Sequence, residues 1–282
     1  MNIRTDIALE NFPEESNSNE KVKIKKHDGI FSTTEIILED DSYMQTIGKG
    51  KGHYVTLEGQ NLADFSDDCD NMVEELSAEI KKFIPDGDIL VVGLGNRDIT
   101  PDALGQCVVS GILATRHLEN ELKNDSDNFL KSLRRVSAFA GGVLGQTGIE
   151  TAEIVRAICS EIKPAGIIAV DALACSDVHR LGTTIQISDS GISPGSGVAN
   201  SRKELSEKLL GVPVIAIGVP TVVDMYTIVK NFTDTEIKGV PDMMVTSREI
   251  DRLIERSARL ISLAVNLSLQ PSLTLSDVRG LF

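Results

Sequence analysis

Two aspartates stand where a side chain can do acid–base chemistry. The first closes the run Val91-Val92-Gly93-Leu94-Gly95-Asn96-Arg97-Asp98-Ile99-Thr100-Pro101-Asp102, which reads as an apolar strand, a glycine turn and a helix start. Thr100 suits the N-cap and Pro101 the first helical position, which leaves Asp102 in the first turn. Free N–H groups and the helix dipole favour a charged carboxylate there, so Asp102 is expected to be ionised, as a base or a cation ligand. The same placement also fits an acid that only caps the helix. The second is Asp171, set in Ile167-Ile168-Ala169-Val170-Asp171-Ala172-Leu173-Ala174. A carboxylate among apolar residues is costly unless paired or hydrogen-bonded. Either it bonds a backbone turn, or it shares a site with another acid, which together with burial raises its pKa. One ionised and one protonated aspartate can take a proton from water and give one to a leaving group near neutral pH.

Gly93, Gly95 and Asn96 after one strand, and Gly195 and Gly197 after another, read as tight loops that line a cleft and offer N–H groups to a developing oxyanion. Neither segment completes a dinucleotide or phosphate loop: the first lacks its third glycine and the second its Lys-Ser/Thr ending. His27, His53, His117 and His179 have no ligand spacing, and none of them sits beside a GxSxG nucleophile turn, which argues against a zincin and a serine triad. Two acids without a nearby histidine make a weak transition-metal site, so no cofactor or metal is assigned. A divalent cation held by the same two acids stays open as an alternative.

These residues need a scaffold. Apolar strands at 89–92, 136–139, 166–170, 184–187 and 214–217 alternate with amphipathic helices at about 72–84, 101–122, 150–162, 201–211 and 248–267. Thr147-x-x-Glu150 and Ser201-x-x-Glu204 read as helix openers. The pattern predicts a three-layer α/β/α fold with a mostly parallel twisted sheet. Residues 21–60 alternate at shorter period and read as a small β element, residues 1–20 as a loosely held polar segment, and residues 61–282 as the main domain. The formal net charge of −14 argues against direct nucleic-acid binding. No apolar run of bilayer or signal-peptide length occurs, and four scattered cysteines suit a reducing cytoplasm.

The motifs together are more specific than any one of them. Arg-Thr-Asp-Ile-Ala at 4–8, Gly-Lys-Gly-Lys-Gly-His-Tyr-Val-Thr-Leu-Glu at 48–58, Gly-Leu-Gly-Asn at 93–96, Thr-Pro-Asp-Ala-Leu-Gly at 100–105, Asp-Ala-Leu-Ala at 171–174, Thr-Ile-Gln-Ile-Ser-Asp at 184–189, Pro-Gly-Ser-Gly-Val at 194–198 and the stretch 213–224 resemble, in order, the germination protease family of endospore-forming bacteria. The resemblance implies an α/β endopeptidase that begins the degradation of small acid-soluble spore proteins in the spore core, with Asp102 and Asp171 as its catalytic pair. It implies a homotetramer, and a zymogen that removes its own N-terminus. Thr5-Asp6-Ile7-Ala8-Leu9-Glu10 is similar to the family's substrate sites, so residues 1–6 are expected to be a propeptide cut between Asp6 and Ile7. The sequence departs from the family pattern at Cys175-Ser176-Asp177, Ser193 and Gln106. A non-catalytic sporulation protein with the same fold is the other reading.

Overall fold

The apolar runs alternate their side chains between two helical layers. The computed structural model describes residues 5–12, 22–43, 49–64, 69–118, 131–195, 203–233 and 239–281, and among these nine strands form one sheet. They are β1 (Val22–Asp28), β2 (Ser32–Leu38), β3 (Gly52–Glu58), β4 (Ile89–Gly93), β5 (Val136–Ala140), β6 (Gly166–Cys175), β7 (Thr184–Ser188), β8 (Val214–Asp224) and β9 (Met244–Thr246). Their order is β1-β2-β3-β7-β8-β6-β4-β5, with β9 also on β8. The helices are α1 (Asp70–Lys81), α2 (Leu104–Ser110), α3 (Leu144–Thr147), α4 (Thr151–Ile162), α5 (Glu207–Leu210), α6 (Met225–Phe232), α7 (Ile250–Leu269) and α8 (Leu275–Arg279).

Ile89, Val91, Ile168, Val170, Ile215 and Ile217 face α1, α2 and α7 in one core. Leu90, Val92, Ile167, Ala169 and Val214 face α4 and α5 in the other. This is the expected three-layer α/β fold. The sheet is mixed, however: β5, β4, β6 and β8 run parallel, while β1, β2, β3, β7 and β9 pair antiparallel. The short connection between Asp28 and Ser32 allows only antiparallel pairing of β1 with β2, whereas the parallel strands are joined by longer, largely helical crossovers. The N-terminal strands also continue the central sheet instead of standing apart, because β3 pairs with β7.

Several elements differ from the periodicity. The helix expected to reach residue 122 stops at Ser110, where Asn266 of α7 accepts from the Leu113 N–H at 2.9 Å and donates to the Gly111 carbonyl at 2.8 Å. A tertiary side chain replaces the bonds that would have continued the helix. β8 runs on to Asp224 because β6 and β9 pair with its second half. The helix expected over 201–211 is α5 alone, and Ser201 lies outside the described residues. Thr147 ends α3, and Glu150 caps α4 without a side-chain bond.

Glycine packing brings α2 against the strand ends. A Cβ on Gly105 would lie 2.2 Å from the Val170 carbonyl oxygen and 2.5 Å from the Leu94 nitrogen, and one on Gly93 would lie 2.2 Å from the Gly105 carbonyl oxygen. Gly105→Ala should therefore cost about 2 kcal/mol or more, within the range of overpacked cores, read as a lowered midpoint in thermal unfolding. An unchanged midpoint would mean that α2 is free to move away.

Candidate active site

Asp102 sits in a 3-10 turn, Thr100–Asp102, that precedes α2, so it reaches the strand ends without belonging to the first α-helical turn itself. The Asn96 N–H donates to its Oδ2 at 2.8 Å and to its carbonyl at 3.0 Å. Gly95, at φ 87°, lets this happen, since a Cβ there would lie 2.0 Å from the Asp102 carbonyl oxygen. Gln106 donates to the Gly95 carbonyl at 2.7 Å, and Thr221 of β8 donates to the Pro101 carbonyl at 2.7 Å. The turn is thereby tied to both its own loop and the sheet.

Asp171 lies within β6, not after it, because β8 continues beside it and pairs Asp171 with Gly218. It is 4% exposed, and its Oδ1 accepts from the Ala172 N–H at 3.0 Å. Its side chain shares the face of Ile167 and Ala169, beyond the point where α4 covers the sheet. Asp102 and Asp171 line one cavity of about 360 Å³ together with Asp6, Gly95, Gly195, Ile99, Leu173 and other residues. Asp6, Asp171 and Gly195 also border a second cavity of about 360 Å³, on the side of Lys49, Gln186 and Ser193. Gly93 lies buried in β4, the Asn96 N–H is engaged by Asp102, and Gly197 lies outside the described residues.

Residues 5–12, expected to be loosely held, are docked. The Asp6 N–H donates to the Ala174 carbonyl and Asp6 Oδ2 accepts from the Ala174 N–H, both at 2.9 Å. Its carbonyl accepts from Lys49 Nζ at 2.6 Å and from Gln186 Nε2 at 2.9 Å, while Gln186 Oε1 accepts from the Ala8 N–H at 2.6 Å. Ile7 is fully buried against Leu173, Cys175 and Val223, and Ala8 against Tyr54, Ile36 and Leu38. Burying an isoleucine side chain contributes about 2–3 kcal/mol. The Glu10 carboxylate accepts from the Ser176 N–H and Oγ at 2.7 Å and the Asp177 N–H at 2.9 Å, with Arg180 at 3.6 Å and Thr5 Oγ1 also donating. The departures at Ser176 and Asp177 thus sit at Glu10, where the two N–H bonds are independent of residue type and the Ser176 hydroxyl is not.

The germination protease family pattern matches residues 4–241. This chain belongs to the germination protease family. It is 39% identical to the germination protease of Caldanaerobacter subterraneus subsp. tengcongensis over 100% of this chain and 98% of that one. It is 43% identical to that of Bacillus subtilis over 89% of this chain and 72% of that one. A solved [NiFe] hydrogenase maturation protease, HycI from Thermococcus kodakarensis KOD1, aligns at 19% identity with a TM-score of 0.38 over 66% of this chain and 98% of that one, too slight a likeness to carry an argument. As a member of the germination protease family the chain is a peptidase, and no helix among the described residues is long and apolar enough to cross a membrane.

Sequence reasoning missed Lys49, Gln186 and Arg180. Lys49 and Gln186 fall inside motifs that carry the family resemblance, but nothing in their own spacing marks them as parts of a site. Burial pushes the Lys49 ammonium down, against the pull of Asp6 and Glu10. Burial also pushes the Cys175 thiol up to about 12, helped by the charges of Glu10 and Asp177. At pH 8 Cys175 should therefore stay protonated and resist iodoacetamide while the partly exposed Cys107 labels first, as peptide mass spectrometry would read. From about pH 9 upward, where an unfolded thiol ionises and this one does not, the same shift should lower stability, because the folded state then holds the extra proton.

Proposed function

We propose that this peptidase is an endopeptidase acting through Asp102 and Asp171, and that it is made as a zymogen that cuts itself between Asp6 and Ile7. One observation carries the reading: Asp6, Asp102 and Asp171 border the same cavity of about 360 Å³, so the residue before the proposed cut shares a cavity with both acids. Water adds to the Asp6 carbonyl carbon as one carboxylate takes its proton. The other, protonated, aspartate gives its proton to the Ile7 nitrogen as the C–N bond breaks. The products are a carboxylate at Asp6 and an amine at Ile7. A pair of acids that shares a proton titrates jointly, so the roles are assigned to the pair and not to either residue.

The docked segment supports the substrate class. Its acid, aliphatic residue, alanine and later glutamate match the pattern inferred for small acid-soluble spore proteins, and each of the four is held by the body of the protein. Relatives named for germination fit a role at that stage. A binding module that cuts nothing has no use for a substrate-like stretch seated beside two acids.

On incubation, the purified chain should gain a new N-terminus at Ile7, found by N-terminal sequencing. Asp102→Asn and Asp171→Asn should each slow both this step and cleavage of an added small acid-soluble spore protein by about 10³-fold. Full activity in either variant, or a mature start at another residue, would sink the assignment.

A further inference from the structure

We infer that Lys49 and Gln186 are catalytic residues: together they polarise the carbonyl of the bond to be cut and hold the oxyanion that water addition creates. The inference rests on Asp6–Ile7 being that bond. Lys49 Nζ lies 2.6 Å and Gln186 Nε2 2.9 Å from the Asp6 carbonyl oxygen, within the reach of charge-assisted and neutral hydrogen bonds respectively. The two donors converge on one oxygen from separate elements, Lys49 from the stretch before β3 and Gln186 from β7.

Gln186 also fixes the register. Its Oε1 accepts from the Ala8 N–H at 2.6 Å, so one side chain clamps the residues on either side of Ile7. That double contact assigns the amide orientation, since only the oxygen can accept from Ala8 and only the nitrogen can donate to Asp6.

Sheet register supplies the remaining geometry. Gln186 pairs with Gly218, and Gly218 pairs with Asp171, so the three form a row across β7, β8 and β6 with their side-chain positions on one face. Two strand spacings separate Gln186 from Asp171, about 10 Å, and the residue between them has no side chain. Leu173 packs over that glycine, at 2.6 Å from where its Cβ would be, and the cavity beside it is bordered by Asp6, Lys49, Gln186, Asp171 and Gly218. The donors therefore flank the carbonyl on the β7 side while the acid stands on the β6 side. As the carbonyl becomes tetrahedral, negative charge gathers on the oxygen that already faces an ammonium and an amide N–H. Donors aimed at developing charge in a partly buried site lower the barrier because they need no reorganisation.

The test uses the full, unprocessed chain and follows first-order appearance of the Ile7 N-terminus by intact mass. Hydrogen exchange at the Ile7 and Ala8 amides reports whether the segment stays docked. Lys49→Met should slow self-cleavage by about 10²-fold with exchange protection retained, and Lys49→Arg should recover most of the rate, since one oxyanion donor is worth about 10²–10³. Gln186→Leu should also slow the reaction, and it carries the test if Lys49→Met fails to fold. Wild-type rates in Lys49→Met and Gln186→Leu, with Asp102→Asn and Asp171→Asn inactive, would overturn this inference and leave the proposed function standing. Loss of Ile7 amide protection matching the loss of rate would overturn it too, reducing both residues to holding the segment; the Ala8 amide is read only in the Lys49 variants, because Gln186→Leu removes its acceptor. If the wild type never yields Ile7, or the aspartate variants cleave normally, the underlying reading of the site fails instead.

Discussion

The close approach of a helix to two strand ends is the constraint on which the site depends. Gly93 and Gly105 let the start of α2 lie directly over β4 and β6, and Gly95 lets the chain turn sharply enough for Asn96 to bond Asp102. No residue with a Cβ fits any of the three positions without displacing backbone. The loop glycines serve approach, not flexibility. They bring Asp102, carried by a turn on one side of the sheet, to a cavity that Asp171 enters from the other. Thr221 then fixes the turn to β8 through the Pro101 carbonyl, so the helix, the loop and three strands share one junction.

The second organising feature is incomplete cover. α4 and α5 shield Leu90, Val92, Ile167 and Ala169, but the same face continues past them to Asp171, Leu173, Gly218 and Gln186. The chain closes that gap with its own N-terminus. Ile7 completes an apolar cluster with Leu173, Cys175 and Val223, while Glu10 is held by N–H groups and Arg180. The Glu10 side chain is 2% exposed, and its hydrogen bonds and Arg180 offset the cost of burying its charge.

Much of this was legible in the sequence, and the limits have physical causes. The two acids stood out because Asp102 follows a glycine turn with Thr100 and Pro101, and Asp171 interrupts an apolar run. The core strands and α1, α4 and α7 followed from period alone. Antiparallel pairing of β3 with β7 is a tertiary choice that local pattern does not encode, so the N-terminal strands read as separate. The end of α2 depends on Asn266, more than 150 residues away, and periodicity carries no trace of it. Composition marked residues 1–20 as loose because Glu, Asn and Ser outnumber the apolar residues there. The structure buries Ile7, Ala8 and Phe12 against the sheet, which composition does not report.

A tethered segment changes what the chemistry has to wait for. Asp6 borders both cavities, so in the self-cleavage proposed above no encounter between molecules would be needed, and the local concentration of the bond would be set by the chain rather than by how much protein is present. Dilution leaves such a reaction's half-life unchanged. The one reactant the polypeptide would not carry is water, so for the proposed cut hydration of those cavities, not supply of substrate, would be the variable that sets its timing.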